Sequence, residues 1–201
     1  MYMRHFVYLI LLLCAAAPVL AATVQVQMQD GAGMPLPGVV VYLESKDAAA
    51  AAKPLLEAEV AQAKRQFDPQ VRVVTVGTMV QFPNHDTVRH HVYSFSDTKR
   101  FELKLYAGST ASPVAFDKPG IAVLGCNIHD NMVAWIIVVP TPYFGRSGPD
   151  GKLTLDNLPP GNYRLRTWHT HLPVGAPALD QALTVAATGT TVVVRMAGLP
   201  S

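Results

Sequence analysis

Short runs of alternating or β-branched residues recur along most of the chain. They are TVQVQMQD from Thr23, GVVVYLES from Gly38, VRVVTVGTMVQF from Val71, HHVYSFS from His90, FELKLY from Phe101, GIAVLGC from Gly120, MVAWIIVV from Met132, KLTLDN from Lys152, YRLRTWH from Tyr163 and TVVVRM from Thr191. Clusters of Gly, Pro, Asn and Asp separate them, so each run predicts a strand and the whole predicts an all-β protein built of sandwiches. One stretch breaks the pattern. SKDAAAAAKPLLEAEVAQAKR, residues 45–65, favours helix by composition, but Pro54 interrupts any helical period. Residues 46–56 are read as a linker, and the alternation from Glu57 to Arg65 as an edge strand. Near the end of the chain, Asp150-Gly151 and Pro159-Pro160-Gly161 mark turns. Between and after them Leu153, Leu155, Leu158, Tyr163 and Leu165 supply core positions.

The first 22 residues differ from the rest. Arg4 precedes an apolar run from Phe6 to Ala17 that is too short for an ordinary membrane span, and Val19-Leu20-Ala21 ends it with small residues. Residues 1–22 therefore read as a secretory signal peptide, which implies a periplasmic mature protein. Leu13 before Cys14 is too large for a lipid-anchoring signal, so Cys14 leaves with the leader. No later segment is long and apolar enough to span a membrane. Lys and Arg (16) nearly balance Asp and Glu (14) among 201 residues, with no run of either sign, so charge offers nothing to nucleic acid.

Of the two cysteines, only Cys126 remains after the leader. A lone thiol in an oxidising compartment is a reactive group, a buried bystander or a metal ligand. Its neighbours favour the last. GCNIHDNM places Cys126, His129 and Met132 at intervals of three. Thiolate, imidazole and thioether in one tight loop form a donor set suited to copper. A second imidazole can come from RHHVYSFS upstream, where His90 and His91 open an apolar strand; because strand side chains alternate, only one of the two faces inward. His85 sits in a turn and is expected to be exposed. His169 and His171 share a strand face, but without a third donor nearby they are expected to be ordinary exposed polar groups rather than a second metal site. Asp86, Asp97 and Glu102 form no recognisable acid/base pair. No Ser/His/Asp order and no phosphate-cradling glycine loop stands out, so an enzyme is not expected.

The stretch FDPQVRVVTVGTMVQFPNHDTVRHHVYSFS, together with CNIHDNM, resembles the cupredoxins, the small blue-copper proteins such as plastocyanin and amicyanin. The match includes Gly77, Val80, Phe82 and Asn84, and extends over about residues 57–140. VRHHVYSFS, KRFELKLY, FDKPG, LGCNIHD and TPYF are similar to periplasmic plastocyanin-like proteins often labelled methylamine utilization proteins. The resemblance implies a Greek-key sandwich with one type 1 copper site held by His90, Cys126, His129 and axial Met132. It also implies single-electron transfer with a transient redox partner protein, in an amine-oxidising chain. Two positions depart from the family: His91 stands where Asn is usual, and Asp130 where amicyanin has Pro.

A second resemblance lies outside this stretch. DGAGMPLPGVVV from Asp30 and DGKLTLDNLPPGNYRL from Asp150 are similar to separated parts of the carboxypeptidase regulatory-like, or transthyretin-like, β-sandwich. The implied organisation is a signal peptide (1–22), first strands of that sandwich (23–45), a linker (46–56), a copper domain (57–140) and the rest of the sandwich (141–201). Two other functions use the same sequence. A copper carrier or chaperone would share the donors, and a metal-free structural or ligand-binding sandwich would use only the scaffold.

Overall fold

The computed structural model describes residues 21–108 and 112–199, and within them almost all regular structure is strand. The expected leader lies outside the described residues apart from Ala21 and Ala22. In chain order the elements begin with β1 (Ala22–Asp30), β2 (Val40–Glu44), the helix α1 (Lys46–Ala51), β3 (Ala61–Ala63), β4 (Gln66–Asp68), β5 (Val71–Thr75) and β6 (Thr78–Val80). The middle of the chain holds β7 (His90–Ser96), β8 (Lys99–Tyr106), β9 (Val114–Phe116), β10 (Gly120–Cys126) and β11 (Val133–Val139). The last are β12 (Phe144–Arg146), β13 (Lys152–Leu158), β14 (Gly161–Trp168), β15 (Leu179–Val185) and β16 (Thr190–Met196).

The two ends of the chain build one sandwich. A three-stranded sheet of order β13-β1-β16 shares a core with a four-stranded sheet of order β12-β2-β14-β15. β1 runs antiparallel to β13 and parallel to β16, so the first strand lies between two of the last. Its alternation explains the placement: Val24, Val26 and Met28 face inward against Leu155, Leu158, Val194 and Met196, while Gln25 and Gln29 face out. Gly151 makes this closure possible. It has φ +73°, and a Cβ there would lie 2.5 Å from the Met28 carbonyl oxygen.

The middle of the chain builds a second sandwich. Its main sheet has five strands in the order β5-β11-β10-β7-β8. The β3-β4 and β6-β9 ribbons cover one face, around a core that includes Val74, Val80, Phe82, Val92, Phe116, Leu124 and Ile136. Residues 71–82, expected as one strand, are two: the chain turns at Gly77 with φ +87° between β5 and β6.

The sandwiches meet along a third apolar cluster. β11 turns Ala134, Ile136 and Val138 into the central core and Ile137 and Val139 away from it, toward Val40, Tyr42 and Trp168. Trp135 from β11 meets Trp168 from β14 with ring centroids 5.8 Å apart. A strand buried on both faces reads as an unbroken apolar run, which is why MVAWIIVV alternates so little in polarity.

Between β2 and β3 the stretch read as a linker carries α1. Ser45 caps it by accepting the Ala48 N–H at 3.0 Å, Asp47 lies in the first turn, and Ala48 is buried in the terminal core. The helix stops at Ala52, before Pro54. The edge strand expected from Glu57 to Arg65 is shorter, a bridge from Glu59 to Gln81 followed by β3.

Candidate metal centre

Antiparallel pairing brings the donors together. β10 ends at Cys126, opposite Val92 near the start of β7, so residues 36 apart in sequence share one sheet end. Alternation in β10 buries Ala122, Leu124 and Cys126, and in β7 it buries His90, Val92 and Ser94. His90 is 0% exposed. His91 faces the other way, with Nε2 2.7 Å from Glu102 Oε1. The return loop from Asn127 to β11 folds tightly, its Met132 N–H donating to the His129 carbonyl at 3.0 Å. The Asn127 N–H donates to the His91 carbonyl at 3.1 Å, tying the two strand ends together through backbone.

Cys126 Sγ lies 3.7 Å from His90 Nδ1 and 3.8 Å from His129 Nδ1. The three donor atoms all fall within 4.8 Å of one another. The two rings are tilted, with centroids 5.0 Å apart. For bonds of about 2.3 Å to sulfur and about 2.0 Å to nitrogen, a trigonal ion sets S and N about 3.7 Å apart, so these residues fit such an ion. Met132 is 1% exposed and belongs to the same core as Cys126. His129 alone of the four reaches partly into solvent.

The surroundings of His90 are polar and fully occupied. Its Nε2 sits 2.8 Å from Asp86 Oδ2, which leaves Nδ1 to face the sulfur. Asp86 also accepts the Lys64 N–H at 2.6 Å and the Arg65 N–H at 2.9 Å. Burial works against this carboxylate, but the Arg65, His90 and Lys64 bonds outweigh it and hold its pKa below the usual carboxylate value. Asn84 accepts the Asp86 N–H through Oδ1 and donates through Nδ2 to the Val88 and Tyr106 carbonyls. The Tyr106 hydroxyl reaches Gln62 Oε1 and the Phe82 carbonyl, each at 2.7 Å. Sequence reasoning does not reach this network. Its one signal is the i, i+4 spacing of Asp86 and His90 in a loop also rich in turn formers.

On the outer face Tyr93 lies over Gly125, the residue before the thiol. A Cβ at Gly125 would come 2.6 Å from Tyr93 Cζ, so the position has room only for glycine while that ring stays in place.

The other candidates stay apart. His85 is exposed, as expected, and Asp97 pairs with Arg100 at 2.6 Å. His169 is buried rather than exposed, at 8%, with Nδ1 accepting the His171 N–H at 3.2 Å. Burial, and next the neighbouring His171, lower its pKa. The cause is its place at the end of β14, whose Trp168 sits in the contact between sandwiches. Among the described residues, His90, Cys126 and His129 form the only group of three or more His, Cys, Asp or Glu side chains close enough to hold a metal ion. None of the described helices is long and apolar enough to cross a membrane.

No protein-family model and no curated relative matches the chain. Solved structures align with part of it. A purple cupredoxin from Nitrosopumilus maritimus aligns at 20% identity and a TM-score of 0.37, over 41% of this chain and 100% of that one. The reduced Cu(I) form of an amicyanin point mutant aligns at 21% identity and a TM-score of 0.38, over 49% of this chain and 98% of its own. A copper-containing nitrite reductase from Thermus scotoductus aligns at 23% identity and a TM-score of 0.39, over 56% of this chain but only 28% of that protein. Alignments this distant leave the chemistry to be argued from the side chains themselves.

Proposed function

We propose that the chain holds one copper ion in a type 1 site and carries single electrons to or from a partner oxidoreductase. The observation that carries this is the pair of sulfur-to-nitrogen distances, 3.7 and 3.8 Å, between Cys126 and two imidazoles that already face it. Cys126 would supply the thiolate, His90 and His129 the two imidazoles, and Met132 a weak axial thioether. Bound copper would supply the one-electron couple. The protein's part is to keep three donors fixed at or beside strand ends and shut water out: His90, Cys126 and Met132 are buried, with Cys126 and Met132 in the central core. A donor set held in one arrangement reorganises little when an electron arrives or leaves.

Partner contact belongs at the exposed side of His129, through a small transient surface. An amine-oxidising enzyme is the partner that the sequence resemblance favours. The terminal sandwich is proposed as a separate regulatory-like scaffold domain, residues 23–45 with 141–201, interrupted by a copper domain at 57–140. Secretion to the periplasm fits the leader pattern. A cut after Ala21 would leave β1 whole, whereas one after Ala22 would remove a residue that pairs with Leu158 and is buried.

The test is an optical and electron paramagnetic resonance titration of the mature protein with Cu(II), beside Cys126→Ser. An intense visible thiolate-to-copper band, absent from the variant, is expected. Binding without that band would favour a copper carrier, and no binding would leave a plain scaffold; either result overturns electron transfer by a type 1 site.

A further inference from the structure

We infer that Asp86 is a positioning residue for His90, and that the Lys64–Arg65 turn between β3 and β4 positions Asp86. The inference deepens the copper reading, since it concerns which nitrogen of His90 is presented to the metal. A carboxylate can only accept. Its oxygen 2.8 Å from Nε2 therefore places the proton of a neutral His90 on Nε2 and leaves the Nδ1 lone pair directed toward Cys126 Sγ, 3.7 Å away. His90 is wholly buried, so no water can compete for either nitrogen.

Asp86 has little freedom to do otherwise. Oδ1 takes the Lys64 N–H, Oδ2 takes the Arg65 N–H as well as His90, and the Asp86 backbone N–H is held by Asn84 Oδ1. The turn that aims those two amides is unusual. Lys64 and Arg65 have φ of 53° and 57°, two consecutive left-handed residues that are not glycine, in a type I′ hairpin position where Asn-Gly is preferred. Left-handed backbone in bulky residues persists where the surroundings over-determine it, commonly at functional positions. Here the surroundings are explicit. Gln62 N–H donates to the Pro83 carbonyl and His85 N–H to the Gln62 carbonyl, each at 2.8 Å, which locks β3 onto the segment that bears Asp86. A hairpin with no metal donor of its own thus sets the orientation of one, a case of an outer carboxylate fixing the tautomer of a ligating imidazole.

The test uses full-length mature protein with ¹⁵N-labelled histidine. In the metal-free form, two-bond proton–nitrogen correlations report the His90 tautomer, and Cu(II) titration with redox titration follows on the same samples. Wild type is expected to carry the proton on Nε2. In Asp86→Asn either placement of the amide sets its NH₂ against a backbone N–H, that of Lys64 or that of Arg65, and the placement that turns NH₂ toward His90 makes Nε2 accept, so the Nδ1–H form should appear beside the wild-type one. Copper affinity should fall about 10- to 100-fold, as for other lost outer-shell partners, with the potential shifted upward because a negative charge near the ion is gone. Asp86→Ala should do the same, with its circular dichroism checked against wild type. Lys64→Asn with Arg65→Gly keeps both amides in the same turn and should leave the tautomer and affinity unchanged. A folded Asp86→Asn or Asp86→Ala protein with the wild-type tautomer and affinity would overturn the inference. If wild type binds no copper the proposed function fails by itself, and the metal-free tautomer still decides the role of Asp86: Nδ1–H appearing in the variants supports it, Nε2–H alone overturns it.

Discussion

Ile136 and Ile137 are adjacent in β11 and both 0% exposed, yet they serve different contacts. Ile136 lies in the core shared with Cys126 and Met132, with Val92, Leu124 and Phe116; Ile137 lies between the sandwiches, with Val40, Val71 and Trp168. Replacing Ile137 by Ala removes three carbons, which at about 0.8 kcal/mol for each buried methylene is about 2.4 kcal/mol of transfer free energy. A rigid cavity adds to that, and measured costs for such truncations run from about 2 to 5 kcal/mol, so about 3 kcal/mol is expected. Urea unfolding followed by tryptophan fluorescence reads the contact directly, because both tryptophans of the chain, Trp135 and Trp168, lie in it. Far-ultraviolet circular dichroism reads the strands as a whole. If the contact welds the sandwiches into one cooperative unit, the two probes coincide in wild type and Ile137→Ala shifts both together. Ile136→Ala should cost a similar amount. A cost below about 1 kcal/mol for Ile137→Ala would refute the reasoning, since it would make the contact between sandwiches incidental.

Ser147→Ala tests a smaller joint: Ser147 Oγ accepts the Val39 N–H at 2.9 Å and donates to the Leu36 carbonyl at 2.8 Å. Its loss strands two backbone groups and should cost about 1–3 kcal/mol by urea unfolding; no change would mean water replaces the hydroxyl. Tyr42 is pushed up to about 12, by burial first and the Glu44 charge next, and Tyr106 to about 12 by burial, with the Gln62 bond opposing it and the Cys126 charge adding to it. Because the folded value of Tyr42 is the higher one, its contribution is complete below pH 10 and is lost from about pH 10 to 12, at most about 3 kcal/mol. Phenolate absorbance during an alkaline titration should resolve Tyr42 and Tyr106 as the latest of the five tyrosines that follow residue 22, and a single step near pH 10 would contradict that burial.

Where one face of a strand meets a core, the residue pattern is enough to locate it. β1, β7, β10, β13 and β14 all coincide with alternating runs. β15 escapes such a reading because LDQALTV is exposed at nearly every position, an edge strand held by its pairing with β14, and exposure on both faces leaves no alternation to see. β9 and β12 are three residues each, too short to show a period. The alanine run at 46–51 misleads for the opposite reason: its local signals, a Ser cap and good helix formers, are strong, and Pro54, which argues against a helix, falls after the helix has ended. That His90 and His91 face opposite ways is visible in sequence, since it follows from period two alone. The partners of His90 are not, because Asp86, Lys64 and Arg65 meet only once the β3–β4 hairpin docks on the loop before β7, and no spacing within one strand encodes that.

The geometry also limits where other molecules can act. The donors stand at one end of the five-stranded sheet, which is covered on one side by its own ribbons and on the other, along β5, β11 and Ile121 of β10, by the terminal sandwich. Access is therefore through the Cys126–Met132 loop, where Asn127, Ile128, Asp130 and Asn131 are exposed and His129 partly so. A cleft of about 680 Å³ lies elsewhere, among Tyr42, Glu44, Phe95, Arg100, Ile121 and Arg166. It opens at the β7–β8 turn, six residues along β7 from His90, which at about 3.3 Å per residue is about 20 Å from the donors. A molecule in that cleft cannot touch the thiol or either imidazole. What joins the two is β7 and β10, which line the cleft with Phe95 and Ile121 at one end and carry His90 and Cys126 at the other.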